Sequence, residues 1–166
     1  MGFFSCQTAV VLAEGISEMT TNSNQAIDAL NRLHAIHCQS LPVYLAGTSP
    51  WYGPGSENAR TAVDQIIRDQ KEMASRIGTR ILEMGMTPYR GVPEDFTWLN
   101  DLSLEFLVGR LLQYQQQDVE KIEEITTEIG HHDVMAKALA DEALGMAKGH
   151  LQSLKEMVGQ TTSDGG

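Results

Sequence analysis

Four stretches of the chain place apolar residues at alternating three- and four-residue steps, the spacing that aligns side chains along one face of an α-helix. The first stripe reads Ile27, Leu30, His34, His37, Leu41 and Tyr44, and its helix is expected to begin after the polar run Thr20 to Asn24. Pro42 lies inside it. A proline removes one backbone donor and clashes one turn back, so a kink is expected there, with Tyr44 and Leu45 continuing the pattern. The second helix runs from about Glu57 to Met84 with Val63, Ile66, Ile67, Gln70, Met73, Ile77 and Ile81 inward; Gly85 supplies a left-handed cap and Pro88 lies beyond it. The third runs from about Trp98 to Ile129. Its first half turns Leu102, Glu105, Val108 and Leu112 inward, and its second half is polar enough that the far end is expected to project from the core. Gly130 ends it, Asp133 is the expected N-cap of the fourth helix, and that helix carries Met135, Leu139, Glu142, Met146, His150, Leu154 and Met157.

Thr48 to Ser56 and Gly85 to Thr97 are dense in Pro and Gly and read as connections. No two-residue alternation competes with the helical pattern, so the expected fold is all-α, a four-helix bundle over residues 23–158. Residues 1–22 read as an N-terminal arm, loose or briefly helical, and 159–166 as a polar tail of disordered character. With 166 residues, 42% of them hydrophobic, one domain with a real core suffices. The second connection, about twelve residues at ~3.3 Å each, reaches ~40 Å. That is just enough to recross the bundle, so the topology stays open between a recrossing and a simple up-down-up-down order.

Composition narrows the partners. Twelve basic against twenty-two acidic residues give a net charge of −10, which repels nucleic acid and anionic membrane surfaces. Two cysteines, Cys6 and Cys38, make neither a disulfide framework nor a thiolate zinc site and fit a reducing cytoplasm. The first basic residue is Arg32, so a secretory signal would lack its positive start. No stretch approaches the roughly 20 apolar residues of a membrane span.

The chemistry to explain is the presence of His37, Glu105 and His150 inside apolar stripes, because a buried imidazole or carboxylate left unpaired costs a few kcal/mol. In an antiparallel hairpin, residues equally far from the turn lie side by side. His37 and Gln70 average to position 53.5, within the first connection, and Glu105 and His150 to 127.5, near Gly130. These residues are therefore expected to converge at mid-bundle, with Glu105 held by a cation or an imidazolium. Glu142 averages with Glu105 farther from the turn. His34 and His37 form H-x-x-H, one turn apart, a pair able to grip zinc, copper or iron; two core histidines bonded to neighbours such as Gln70 would satisfy the same pattern. His131 and His132 read as solvated turn residues and the eight methionines as core filler. No Ser-His-Asp or Cys-His constellation, phosphate loop or dinucleotide fingerprint is present, so no enzyme class is assigned.

Four segments carry a family likeness. LNRLHAIHCQSLPVYL from Leu30, SRIGTRILEMGMTP from Ser75, DLSLE ending at Glu105 and GHLQSL from Gly149 resemble the ferritin-like superfamily, and within it most the bacterioferritins. The resemblance implies a ferritin-like four-helix bundle. It also implies a degenerate di-iron centre: the family's metal-binding glutamates and Glu-x-x-His pairs fall here on His37, on Gln70 and Met73, on Glu105, and on Ala147 and His150. An alternative register of the last helix keeps Glu142 but puts the histidine on Gly145. The implied ligand set is His37, Glu105 and His150, with His34, Gln70 and Glu142 as possible additions, holding one iron or zinc ion and supporting iron or oxidative-stress handling; efficient ferroxidase chemistry is not expected. The alternative is a metal-free structural or interaction bundle. The family's haem methionine falls on Lys71, so no haem is expected. Without a fifth helix no large cage is expected, and a homodimer through the first two helices, with Trp51 supplying apolar surface, is the anticipated assembly.

Overall fold

The computed structural model describes the backbone of residues 7–48, 57–97, 102–130 and 133–163, and the side chains of 23–48, 57–97, 102–103, 106–130 and 133–159. Every regular element among them is a helix: α1 Gln7–Gln39, a short α2 Leu41–Leu45, α3 Glu57–Glu83, α4 Leu104–Ile129 and α5 Val134–Ser163. The four long helices make an all-α bundle. Trp51, His131, His132 and Cys6 lie outside the described residues.

Several helix ends follow directly from local chemistry. α3 closes with Met86 N–H donating to Ile81 O (3.1 Å) and Gly85 N–H to Leu82 O (2.9 Å), the paired bonds that a left-handed residue makes possible; Gly85 supplies it at φ +82°. Asp133 caps α5, its Oδ1 accepting from Ala136 N–H at 2.8 Å. Pro42 breaks the chain where a kink was anticipated. Ser40 turns extended at ψ 150°, its hydroxyl accepts from Val43 N–H, and α2 starts afresh with the proline in its first turn, where its missing N–H has no partner to lose.

Other ends depart from the pattern. α1 begins at Gln7 and runs through Thr20–Asn24, because that run has no proline or left-handed glycine to stop a helix, and an existing helix lengthens cheaply. α5 likewise continues to Ser163. α4 starts only at Leu104, since Ser103 is extended (ψ 154°). Nor does the second half of α4 project: Val119, Ile122, Ile125 and Ile129 are all buried, the polar residues between them facing water. α5 buries Ala136, Ala140, Ala143 and Ala147 with Leu154, while Met135 is 58% exposed. The inward face joins this alanine run to Leu139, His150 and Leu154 of the expected stripe, the small residues letting α4 and α5 approach closely.

The contacts fix the topology. Ser40 with Gln70 and His34 beside Gly78 make α1 and α3 antiparallel. Gln115 with Ala147 and Thr126 with Ala140 do the same for α4 and α5. The ion pairs Arg80–Asp133 and Arg32–Glu128 put the ends of α3 and α4 at one end of the bundle with the start of α5. α3 and α4 are therefore parallel, and the chain between them recrosses the bundle. This strap lies along α1, where Gln39 donates to Arg90 O (2.6 Å) and Asn31 Oδ1 accepts from Tyr89 N–H (2.7 Å). It ends with Phe96 packed between Tyr44 and Tyr114.

Gly91 sets how closely the strap approaches. Its φ is +78°, and a Cβ there would lie 3.1 Å from both Ala35 Cβ and Gln39 Cγ. Gly91→Ala should therefore cost ~2 kcal/mol, ~1 from the left-handed backbone and the rest from crowding. Gly85→Ala, with nothing within 4 Å of its Cβ, should cost only the backbone part, ~1 kcal/mol. Urea denaturation of the two variants measures the difference; equal losses would show that the strap is loose.

The core is divided in two. One cluster joins Leu30, Leu33, Ile77, Ile81, Ile122, Ile125 and the α5 alanines; the other joins Leu41, Leu45, Val63, Ile66, Phe96, Leu107, Leu111 and Leu154.

Candidate functional site

Between the two apolar clusters lies a polar layer to which each long helix contributes: His37 and Ser40 from the end of α1, Gln70 from α3, Gln115 from α4 and His150 from α5, all buried. On every helix the order is the same, apolar cluster, polar residue, apolar cluster. Part of the layer is satisfied internally. Ser40 Oγ donates to Gln70 Oε1, and Gln115 Nε2 donates to Ala147 O at 3.1 Å.

The rest is not. His37 is 1% exposed, and neither of its ring nitrogens has a hydrogen-bond partner; His150 Nδ1 and Gln115 Oε1 are also buried and unpartnered. Such groups normally find partners, because each one left alone costs about 1–3 kcal/mol. His150 is oriented from outside the layer: its Nε2 lies 2.9 Å from Asp69 Oδ2. A carboxylate can only accept, so the Nε2 proton is committed to Asp69, which leaves Nδ1 facing the buried layer. His34, one turn before His37, is held similarly, with Nδ1 2.8 Å from Tyr89 O and Nε2 3.6 Å from Cys38 Sγ. Orienting bonds of this kind, to a carboxylate or a backbone carbonyl, accompany histidines that ligate metals.

Electrostatics keep His37 neutral. Burial pushes the His37 pKa down to about 4, and the nearby His150 and His34 push in the same direction. A proton is unwelcome on His37, so its ring keeps a nitrogen lone pair at neutral pH. Among the described residues no group of three or more His, Cys, Asp or Glu side chains is placed to hold a metal ion. Gln115 Oε1 is a further buried oxygen of the layer without a partner.

The anticipated site residues divide accordingly. His37, Gln70 and His150 share the layer, and His34 lies one turn away. Glu142 does not belong to it: it is about half exposed and ion-paired to Arg76, because the alanine stripe takes the inward face of α5. Met73 packs in the first apolar cluster. The Glu105 side chain lies outside the described residues; its backbone is the second residue of α4. The observed α4–α5 contacts have midpoints at positions 131 and 133, beyond the 127.5 that paired Glu105 with His150. Among the described residues of α4, the polar side chain buried in this layer is Gln115, ten residues along from Glu105.

Gln115 and Asp69 are the residues that sequence reasoning missed. Gln115 continues Val108, Leu111, Val119 and Ile122 at helical spacing, a signal hidden by the glutamines around it. Asp69 borders the α3 stripe and carries no pattern of its own. His37 also borders a second feature. An open cleft of about 720 Å³ between α1, α3 and the strap has His34, His37 and Cys38 on its α1 side, with Lys71, Ser75 and Arg90 also lining it. Cys38 in its wall is a free thiol, pushed up in pKa by burial and partly offset by Arg90. No helix among the described residues is long and apolar enough to cross a membrane. No family model matches this chain, and neither a curated protein nor a solved structure matches it.

Proposed function

We propose that this is a bundle of the ferritin-like kind whose polar layer binds one transition-metal ion weakly, through His37 and His150 with an amide oxygen beside them, in the service of iron or oxidant handling. The observation that carries the reading is the set of buried atoms without partners, His37 Nδ1 and Nε2, His150 Nδ1 and Gln115 Oε1, together with the Asp69 bond that aims His150. Neutral imidazole and amide donors suit borderline ions such as zinc or iron(II). With no carboxylate among the described residues of the layer to bridge and neutralise two ions, a single weakly held ion suits this set. The one long crossover between parallel α3 and α4 is the connection that ferritin-like bundles use, and it supports the same reading.

A second reading is favoured by the absence, among the described residues, of three strong ligands around one point. In it the layer binds nothing and sets the register of the four helices, as buried polar groups do in some bundles. Elemental analysis of protein purified without chelator, followed by thermal melts with zinc or iron(II), separates the two. Metal binding should give near one equivalent and a stabilisation of ~2.7 kcal/mol at a hundredfold excess over Kd, both lost in His150→Ala. Metal-free protein with an unshifted melt leaves the register reading.

A further inference from the structure

The cleft between α1, α3 and the strap has a charge opposite to that of the molecule. The chain carries a net charge of −10, with twenty-two acidic residues, yet none of the described residues lining the cleft is acidic. Two of its lining residues are Lys71 and Arg90. Elsewhere the basic side chains are occupied by acidic or amide partners: Arg32, Arg60, Arg76, Arg80, Lys121, Lys137 and Lys148 in ion pairs, Arg68 and Arg110 with glutamine oxygens. Among the described residues only Lys71, Arg90 and Lys155 have no such partner, and two of these three meet at this one cleft.

The cleft also has polar and apolar parts suited to a small ligand. Ser75 and Thr87 add hydroxyls, Pro88 and Leu82 add apolar wall, and His37, buried and without a partner at either nitrogen, lies on the α1 side. A volume of about 720 Å³ is within the range of small-molecule sites. Arginine offers a planar fork that matches two oxyanion oxygens, and lysine a compact charge beside it. We propose that this cleft binds a small organic oxyanion carrying two negative charges, a phosphate monoester in preference to a dicarboxylate, with Lys71 and Arg90 as its principal contacts. The proposal does not depend on metal in the polar layer.

Calorimetric titration of the 166-residue chain at 0.15 M salt, with and without chelator, tests it using glycerol 3-phosphate, succinate and inorganic pyrophosphate as probes. Saturable binding of glycerol 3-phosphate at one site is expected, tighter than succinate and unchanged by chelator. Lys71→Gln and Arg90→Gln should each weaken it at least tenfold without lowering the melting temperature, since both side chains are exposed. Lys155→Gln, the unpaired cation elsewhere, should leave it unaltered. No saturable binding of any probe overturns the proposal, as does binding that survives the Lys71/Arg90 double variant. Succinate binding more tightly than glycerol 3-phosphate overturns the preference for phosphate, and binding abolished by chelator assigns the anion to a metal instead.

Discussion

His37→Leu should stabilise the metal-free protein by about 2–4 kcal/mol and at the same time erase its response to zinc or iron(II). His37 is 1% exposed with both ring nitrogens unpartnered, so the fold carries the desolvation cost of two polar atoms and recovers nothing from hydrogen bonds. Leucine has a similar volume, fits between the apolar clusters on either side, and has no polar atom to bury. At 166 residues the gain corresponds to a rise in melting temperature of about 5–10 °C. His37→Ala serves as the contrast: it removes the same nitrogens but leaves a cavity, so its stability should fall below that of the leucine variant by 2 kcal/mol or more. Thermal melts in chelator and in excess zinc give both readouts. If the leucine variant melts below the parent in chelator, the imidazole nitrogens have partners and the layer was misread.

The second large effect is a pair of opposing pH dependences in the metal-free protein. Burial pushes the Asp118 carboxyl up from its ordinary 3.8 to about 6, Lys121 opposing this and Glu94 adding to it; the side chain is only 13% exposed. A raised pKa means that the folded state holds the proton longer than the unfolded state. The associated stability is complete below pH 3.8 and is lost as pH rises through 6. His37 runs the other way. With its pKa lowered from 6.5 to about 4, the unfolded state binds the proton first, so stability is complete above 6.5 and is lost as pH falls through 4. Each amounts to roughly 3 kcal/mol, and between pH 4 and 6 they oppose one another.

The parent should therefore show a nearly flat stability over that window, and each variant should unmask the other group. Asp118→Asn should be roughly 2–3 kcal/mol more stable than the parent at pH 7, the advantage vanishing near pH 4. His37→Leu should instead gain stability on acidification. Glu128 and Glu142, held below the ordinary carboxylate range first by hydrogen bonds to Arg32 and Arg76, lose their contribution only in stronger acid and do so alike in all three proteins. Urea midpoints at pH 4, 5, 6 and 7 measure the effect. A parent curve as steep as either variant's would show that one of the two groups is solvated in the fold.

The helices were largely legible because their causes are local. The α3 stripe, its start at Glu57, its Gly85 cap and the Asp133 cap of α5 all depend on residues within a few positions of one another. So does the inward placement of His37, Gln70 and His150, which repeats the 3.6-residue period. What was not legible depended on a second element. Pro42 ends α1 because Ser40 can cap a new turn and reach Gln70 on α3. α5 faces inward with alanine because α4 packs closely against it, and no single helix encodes how near its neighbour comes.

By itself, then, the sequence determined an all-α chain, four long amphipathic helices and the presence of buried imidazoles, since periodicity and end caps are short-range properties. Only the tertiary structure decided that the chain recrosses the bundle between α3 and α4, that Gln115 joins the buried polar layer from α4, that Asp69 orients His150, and that Lys71 and Arg90 line one cleft. Each of these is set by the axial offset and rotation of one helix against another. A slip of two turns moves a side chain by about 10 Å while leaving every local pattern in the sequence unchanged.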